Sequence, residues 1–449
     1  MTIPVNSPDF LVRVGAGTPM GDLMREYWIP ACLATELVSD GDPVRLMLLG
    51  EKLVGFRDST GRVGIMDHRC PHRCASLFFG RNEQGGLRCI YHGWKFDVKG
   101  RCLDMPNVPP GRDLAARVTA KAYPTFERMG LVWVYLGTRA EAPPVPAIEA
   151  TMLPEHEARV RLTQRECNWL QVIEGDFDTA HLGFLHFGSV RKDEVDLENM
   201  HAPVILNRAP EFEVVDTDWG VMGGAYRETV SGLRYWRVTQ FLFPFWALIP
   251  DGSFEDNIAA NACVPMDDTH TMVFNFSWTR RSAPMRHRKD GTMLPGLEFN
   301  HEYLPNGTDW YGRWRSAANS TNDYRIDREQ QRTKTFTGVD GITIQDQYVT
   351  ESMGAIVDRR LEHLAPSDLM VARARLRLRK AAEARLKAGE MPPGVEQPGV
   401  NLKARGGSFN APPASSLAEA YAEHFAATIS PVSDFLDAKA DPTGRAASA

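Results

Sequence analysis

Two segments of the sequence, Cys70-Pro-His72 and Cys89-Ile-Tyr-His92, decide how the N-terminal part folds. Each segment carries one cysteine and one histidine, spaced C-x-H in the first and C-x2-H in the second. The residues around them, from 43 to about 135, form short apolar runs separated by glycine or aspartate, which predicts a small β domain. Both segments are expected in loops of that domain, where four side chains can meet.

Two thiolates and two imidazoles are the ligand set of a [2Fe–2S] cluster of the Rieske type, with the thiolates on one iron and the imidazoles on the other. Because imidazole is neutral, it lowers the negative charge on the cluster and raises its potential, which suits an electron relay. We therefore predict Cys70, His72, Cys89 and His92 as cluster ligands. The alternative is a structural Cys2His2 zinc site in a binding module, but such sites usually begin C-x2–4-C.

A second group of candidate ligands lies between Glu174 and His186. The spacing of apolar residues predicts a helix from Cys167 to about His181. His181 and His186 are five residues apart, which on an unbroken helix places them about 140° apart, too far round to share one ion. Gly183 between them would allow the chain to leave the helix and bring His186 back. Two histidines and one carboxylate with open coordination positions form the ligand set of non-haem Fe(II) oxygenases.

The carboxylate has two candidates, Asp346 and Asp358, on a helix predicted from about Ile342 to Lys387 with an interruption at Pro366. At about 100° per residue, three apolar residues fall nearly in line with Asp346: Met353, Val357 and Leu364. Asp346 is therefore expected on the inward stripe, where an unpaired carboxylate is costly without a cation. Asp358 stands beside two arginines and is expected in a surface ion pair. We predict Asp346 as the third ligand.

Asp178 precedes His181 by three residues. On one helix face it could accept a hydrogen bond from the histidine ring, as carboxylates near metal sites do. We predict that it orients His181 and passes electrons or senses the redox state. The alternative is a solvated acid.

Composition excludes several classes of function. The 449 residues include 51 basic and 57 acidic side chains, a net charge of −6, so no basic field favours nucleic acid or anionic lipid. The first residues carry neither a basic nor an apolar signal region. The apolar run 241–249 is too short to cross a membrane. Seven cysteines, an odd number, suit reduced thiols and metal ligands, so we expect a cytoplasmic protein.

Together these residues resemble the α (oxygenase) subunits of Rieske non-haem iron aromatic ring-hydroxylating oxygenases, most closely the phthalate 4,5-dioxygenase type. Five segments carry the resemblance: Arg13 to Gly21, Cys70 to Leu77, Cys89 to Asp97, Glu174 to His186, and Gln345 to Ser352. Asp346 and Glu351 match the family's Asp-x4-Glu pattern. One departure is Cys74, where many relatives have glycine; it removes no ligand.

The resemblance implies an α+β fold in two domains. Residues 1–147 would form the Rieske domain with an N-terminal extension, and residues 148–449 a helix-grip-like catalytic domain, an antiparallel sheet flanked by helices. The proline-rich segment 140–147 would join them. Residues 203–280 are predicted to be mainly strands, and Ser416 to Thr428 a last helix.

The resemblance also implies the reaction. The chain would be the oxygenase component that takes electrons from an NADH-dependent flavin and iron–sulfur reductase and uses O2 to cis-dihydroxylate an aromatic, phthalate-like carboxylate. Its catalytic iron would be mononuclear Fe(II). The family assembles as head-to-tail trimers, here a homotrimer or dimer of trimers, in which Asp178 reaches His92 of the partner subunit. O-demethylation of methoxylated aromatics and a pure Rieske electron carrier, with two irons instead of three, remain alternatives.

The chain is expected to lack a nicotinamide site of its own. Gly15-Ala-Gly17 resembles a dinucleotide loop, but that fold requires a βαβ unit, and Pro30 ends any helix soon after. The substrate pocket is predicted to be walled by Phe241 to Trp246 and by two further aromatic residues, Phe274 and Phe276. A substrate carboxylate would need an inward arginine, for which there are three candidates: Arg208, Arg234 and Arg237.

Overall fold

The computed structural model describes residues 3–109, 111–112, 114–196, 199, 201–281, 287–297 and 301–432. In the described N-terminal part, one α-helix and eleven strands precede the proline-rich segment. They are α1 (Pro19–Met24), β1 (Trp28–Leu33), β2 (Val44–Leu48), β3 (Glu51–Arg57), β4 (Val63–Asp67), β5 (Arg81–Glu83), β6 (Gly86–Arg88), β7 (Lys95–Phe96), β8 (Cys102–Asp104), β9 (Ala122–Tyr123), β10 (Thr125–Arg128) and β11 (Leu131–Tyr135).

These strands form three antiparallel sheets, in the orders β1-β11-β10, β2-β3-β4-β9 and β5-β6-β7-β8. The strands predicted between residues 43 and 135 are confirmed. Cys70 lies in the loop after β4, and Cys89 directly follows β6. Because α1 has only six residues and β1 pairs antiparallel with β11, Gly15 and Gly17 do not open a βαβ unit.

The apolar core of the cluster-bearing sheets includes Phe56 and Phe96, and both Cys70 and Cys89 belong to it. The sheet of β1, β10 and β11 shares its core with the C-terminal half instead. There the ring of Trp133 stacks on that of Trp246, with centroids 5.9 Å apart. The apolar core is thus continuous across the proline-rich segment, and the division at residue 147 stays a prediction.

The described C-terminal part contains eight strands and seven α-helices. The strands are β12 (Ala158–Arg165), β13 (Glu211–Asp216), β14 (Gly220–Glu228), β15 (Arg234–Leu242), β16 (Trp246–Leu248), β17 (Ala259–Pro265), β18 (Thr271–Trp278) and β19 (Gly407–Ala411). The helices are α2 (Trp169–Phe177), α3 (Leu182–Leu185), α4 (Ala202–Leu206), α5 (Arg328–Thr333), α6 (Ile342–Ser352), α7 (Leu369–Ala388) and α8 (Leu417–Ala427).

These strands form one antiparallel sheet in the order β12-β18-β17-β16-β15-β14-β13, with β19 added to β15. Helices α2 and α7 pack on the sheet. The α+β fold, with an antiparallel sheet flanked by helices, is confirmed. The last helix, predicted at residues 416–428, is present as α8. No helix in the described part of the chain is long and apolar enough to span a membrane.

Two predicted helices were too long. The Asn168 side chain caps the start of α2 by accepting from the Leu170 amide, but α2 ends at Phe177 instead of His181. The helix predicted over residues 342–387 is two helices, α6 and α7, because α6 ends at Ser352 and Gly354 follows with a φ of +92°. Met353 and Leu364 are exposed. The prediction that Asp346 lies on a continuous apolar stripe was therefore wrong.

Candidate active site

The two Cys–His loops have the same backbone form. The Cys74 amide donates to the Cys70 carbonyl at 2.8 Å, and the Gly93 amide donates to the Cys89 carbonyl at 3.0 Å. Cys74 and Gly93 both lie in the left-handed region, with φ of 60° and 77°. The sequence departure at Cys74 therefore falls at a turn position that favours glycine.

The four predicted ligands lie on these two loops, and Cys70 and Cys89 belong to the same apolar cluster. Both cysteines are buried, and burial raises the pKa of the Cys70 thiol. The imidazole centroids of His72 and His92 are 4.5 Å apart. Nδ1 of His92 is buried without a hydrogen-bond partner among the described residues, which leaves it free to bind a metal. Two thiols and two imidazoles in this arrangement fit the [2Fe–2S] cluster.

The second ligand group, His181, His186 and Asp346, also comes together. One ligand atom from each lies within 4.8 Å of the other two. Asp346 Oδ1 is 3.1 Å from His186 Nε2 and 3.7 Å from His181 Nε2. Two imidazoles and one carboxylate around a common point fit a mononuclear Fe(II).

The histidines flank α3, with His181 just before it and His186 just after it. The chain leaves α2 at Asp178 and not at Gly183, which lies inside α3, so the predicted break at Gly183 is wrong. The imidazoles still approach each other, with centroids 5.1 Å apart.

Gln345 fixes the tautomer of His186. Its Nε2 donates to the carbonyls of Gly296 and Val339, both at 2.8 Å, so its Oε1 must be an acceptor. That oxygen lies 2.7 Å from Nδ1 of His186, which therefore carries the proton. The lone pair of His186 is left on Nε2, which faces Asp346. The sequence pattern placed Gln345 beside Asp346 but gave no sign of this role.

Asp178 lies beside His181, as predicted, but not on a shared helix face. Its Oδ2 is 3.5 Å from Nδ1 of His181, and its Oδ1 accepts the Ala180 amide at 2.7 Å. Burial lowers the pKa of His181, but the carboxylates of Asp178 and Asp346 outweigh it and the net shift is upward. Burial raises the pKa of Asp346, but the two histidines lower it overall. A cluster that stabilises positive charge in this way suits a metal cation.

Asp358, the other candidate for the carboxylate ligand, is not part of this group. Its carboxylate is ion-paired with Arg360 at 2.6 Å on the surface. Glu351, the other acid of the Asp-x4-Glu pattern, accepts from the Glu166 amide, the Gln347 side chain and the Tyr324 hydroxyl. It therefore anchors α6 to its neighbours.

A cavity opens beside the three candidate iron ligands, lined by the face of the sheet that carries Val273 and Asn275. Phe274 and Phe276 point to the other face and, with Phe241, are fully buried in the core. The aromatic walls predicted for the pocket were therefore wrong, because the opposite face of β18 lines it.

Of the three candidate arginines, only Arg237 lines this cavity. Arg208 instead donates to the carbonyls of Phe187, Gly188 and Val190, the segment after His186. Arg234 lies over the ring of Tyr226, on the side of β15 opposite to Arg237. Three cavity arginines were missed: Arg161, Arg165 and Arg281. Arg161 and Arg165 are four residues apart on β12 and therefore share one face of the strand, a signal that could have found two of them.

Two family models match the chain. Residues 27–126 match the Rieske [2Fe-2S] domain, and residues 134–410 match the domain described as LigXa C-terminal domain like. The 3-chlorobenzoate-3,4-dioxygenase oxygenase subunit of Comamonas testosteroni is 48% identical, over 92% of this chain and 96% of its own length. The phthalate 4,5-dioxygenase oxygenase subunit of Pseudomonas putida is 38% identical, over 85% of this chain and 86% of its own.

A third relative, the 5,5'-dehydrodivanillate O-demethylase oxygenase subunit of a Sphingobium species, is 42% identical over 40% of this chain and 42% of its own length. The chain belongs to the oxygenase subunits of the Rieske non-haem iron aromatic ring-hydroxylating oxygenases, the phthalate 4,5-dioxygenase type. It is therefore an oxidoreductase that carries a Rieske [2Fe–2S] cluster and a mononuclear iron.

Proposed function

We propose that this chain is the oxygenase component of a multicomponent system that cis-dihydroxylates an aromatic carboxylate with O2. An NADH-dependent reductase, a separate protein with flavin and iron–sulfur groups, delivers the electrons. Four side chains hold the cluster: Cys70, His72, Cys89 and His92. Three hold the mononuclear iron: His181, His186 and Asp346. The main support for the proposal is that these last three side chains lie together beside a cavity.

The bound iron supplies the activation of O2 by electrons from the cluster. The chain supplies position and environment. Gln345 keeps the proton of His186 on Nδ1, so that Nε2 stays a ligand. Leu182, Phe187 and Ile342 line the cavity and exclude water from the reacting centre.

Buried positive charge in the cavity supports the proposal that the substrate carries a carboxylate. Arg165 and Arg237 line the cavity and are 6% and 4% exposed. Among the described residues, neither has a carboxylate within 4.0 Å. Burying an unpaired guanidinium is costly, so a substrate anion would complete the site. The names of two relatives include chlorobenzoate and phthalate, which is consistent with an anionic substrate.

Arg237 is held in place on both sides. Its Nε donates to Oγ1 of Thr179 at 2.9 Å, and its Nη1 lies 3.2 Å from Nδ1 of His201. Burial lowers the pKa of His201 to about 3, so the ring is neutral and Nδ1 accepts. A guanidinium fixed in this way would orient the substrate carboxylate before the ring reaches the iron.

Electron transfer between subunits is part of the proposal. Asp178 lines the interior cavity and also an outer groove that contains Phe184. Ile90 and Tyr91, next to His92, are more than half exposed. In a head-to-tail homotrimer this exposed loop would dock at the groove of the next subunit, and Asp178 would link His181 to His92 of the partner subunit.

A panel of aromatic carboxylates and methoxyarenes tests the function. Iron-loaded protein, NADH and a reductase of this family are mixed with each compound, and O2 uptake and products are measured. Coupled uptake with a cis-diol from a carboxylate supports the proposal. The relative named as an O-demethylase favours a second candidate, O-demethylation, which would release formaldehyde from a methoxyarene instead. No substrate-dependent uptake in fully loaded protein would favour the electron carrier.

A further inference from the structure

One acid in the cavity has no part in the function proposed so far. Asp176, on α2, lines the cavity and remains partly accessible, although it is surrounded by protein. Among the described residues, it has no cationic side chain within 4.0 Å. Its neighbours are neutral: Nδ2 of Asn261 donates to its Oδ2 at 2.9 Å, and the Cys263 thiol donates to the same oxygen at 3.3 Å.

Asp176, Asn261 and Asn275 form one wall of the cavity, and their side chains are joined by hydrogen bonds that all donate toward Asp176. Because a carboxylate only accepts, Asn261 must offer its Nδ2 to Asp176. Its Oδ1 then accepts from Nδ2 of Asn275, at 2.7 Å. The row ends with Oδ1 of Asn275, and Asn275 also lines the cavity. The wall therefore offers oxygen acceptors to whatever occupies the cavity.

The strands hold this row rigidly. Asn261 and Asn275 are paired residues of β17 and β18 and face the cavity side by side. The Cys263 thiol keeps its proton, since burial raises its pKa well above the usual range. The second oxygen of Asp176 has no donor among the described residues. An acceptor placed in this way, away from bulk water, costs free energy until a donor reaches it.

We propose that Asp176 is a specificity-determining residue that accepts a hydrogen bond from a hydroxyl or amino substituent of the substrate. The ligand class is then an aromatic carboxylate with a second, hydrogen-donating group on the ring. The anion is bound by the buried arginines and the donor by Asp176. This inference rests on the proposed function, because it takes the aromatic carboxylate as given.

Calorimetric binding to the iron-loaded protein tests it. The probes are benzoate and its ortho, meta and para derivatives with hydroxyl, amino or methyl groups, the methyl compounds being the size-matched analogues without a strong donor. In the wild type, at one ring position, the hydroxyl or amino compound should bind about tenfold or more tightly than the methyl compound. Asp176→Leu should abolish that ratio while the methyl compound still binds.

Asp251→Asn is the matched control. Asp251 is another acid of the same cavity, but it is ion-paired with Arg281 at 3.2 Å, and its loss should leave the ratio unchanged. Equal binding of donor and methyl compounds in the wild type, or a ratio that survives Asp176→Leu, overturns the role of Asp176 and leaves the carboxylate proposal standing. If no benzoate binds at all, the proposed substrate class is wrong and the donor site falls with it.

Discussion

Oε1 of Gln345 accepts a hydrogen bond from Nδ1–H of His186 at 2.7 Å, and this contact decides which nitrogen of His186 faces Asp346. We predict that Gln345→Leu lowers the affinity for the mononuclear metal about 10- to 100-fold, because the ring loses the acceptor that holds its tautomer and orientation. Titration of protein depleted of this iron with Fe(II) or Co(II) measures the change.

Gln347 offers a matched control, since it is a buried glutamine on the same helix. It bonds to Ser316 and Glu351 and not to the histidines. Gln347→Leu should weaken the fold without changing metal affinity. Equal metal affinities for the Gln345→Leu and wild-type proteins would show that His186 keeps its tautomer without this contact.

Asp178→Asn should slow electron transfer while leaving three irons per chain. The amide keeps the shape of the carboxylate but loses the charge beside Nδ1 of His181, 3.5 Å away. We expect the reduced cluster, with substrate and O2 present, to be reoxidised at least tenfold more slowly in stopped-flow absorbance. Asp193→Asn, at an exposed ion pair with Arg191, is the control. An unchanged reoxidation rate in Asp178→Asn would remove Asp178 from the electron path.

Arg237→Gln should raise the Kd for the aromatic carboxylate about tenfold or more, since it removes a buried, pre-oriented cation from the cavity. Arg234→Gln, three residues earlier on the same strand and directed over Tyr226, should leave the Kd unchanged. Isothermal calorimetry with the best substrate found by the panel makes the comparison. If the two variants bind equally well, Arg237 does not contact the carboxylate.

Glu174 should matter for stability more than for chemistry. Its carboxylate, on α2, accepts from Arg359 at 2.8 Å and from Arg375 of α7 at 2.7 Å, and all three side chains are largely buried. Glu174→Ala leaves Arg359 and Arg375 with Glu362 as their remaining carboxylate partner, so we expect about 1–3 kcal/mol lower stability. Urea unfolding followed by tryptophan fluorescence measures it. Asp358→Asn, at the exposed pair with Arg360, should not shift the midpoint.

The sequence was most informative where the chemistry is local. The Cys–His loops could be located because their ligands lie within three residues of each other and between short strands. His181 and His186 could be named because their spacing implied a break in a helix, although the break lies at Asp178 and not at Gly183. Asp346 does lie beside the two histidines, but it was chosen because of an apolar helix stripe, and the helix that would carry this stripe ends at Ser352.

What depends on contacts across the fold could not be predicted. Asp176, Asn261 and Asn275 come from three different elements, and only the packing of α2 on the sheet brings them together. The same holds for Gln345, whose amide is oriented by the carbonyl of Val339, six residues earlier, together with that of Gly296 from a distant loop. The wrong choice of Phe274 over Val273 has a simpler cause: alternate residues of β18 face opposite sides, and the sequence did not show which side is the cavity.

The central claim is that His181, His186 and Asp346 hold an iron that is separate from the cluster. Iron analysis of Asp346→Ala, combined with its visible spectrum, tests this most directly. We predict three irons per chain in the wild type and two in the variant, with an unchanged cluster spectrum and no substrate oxidation. An Asp346→Ala protein that keeps three irons and its activity would contradict the claim, as would a fully loaded, active wild type with only two irons.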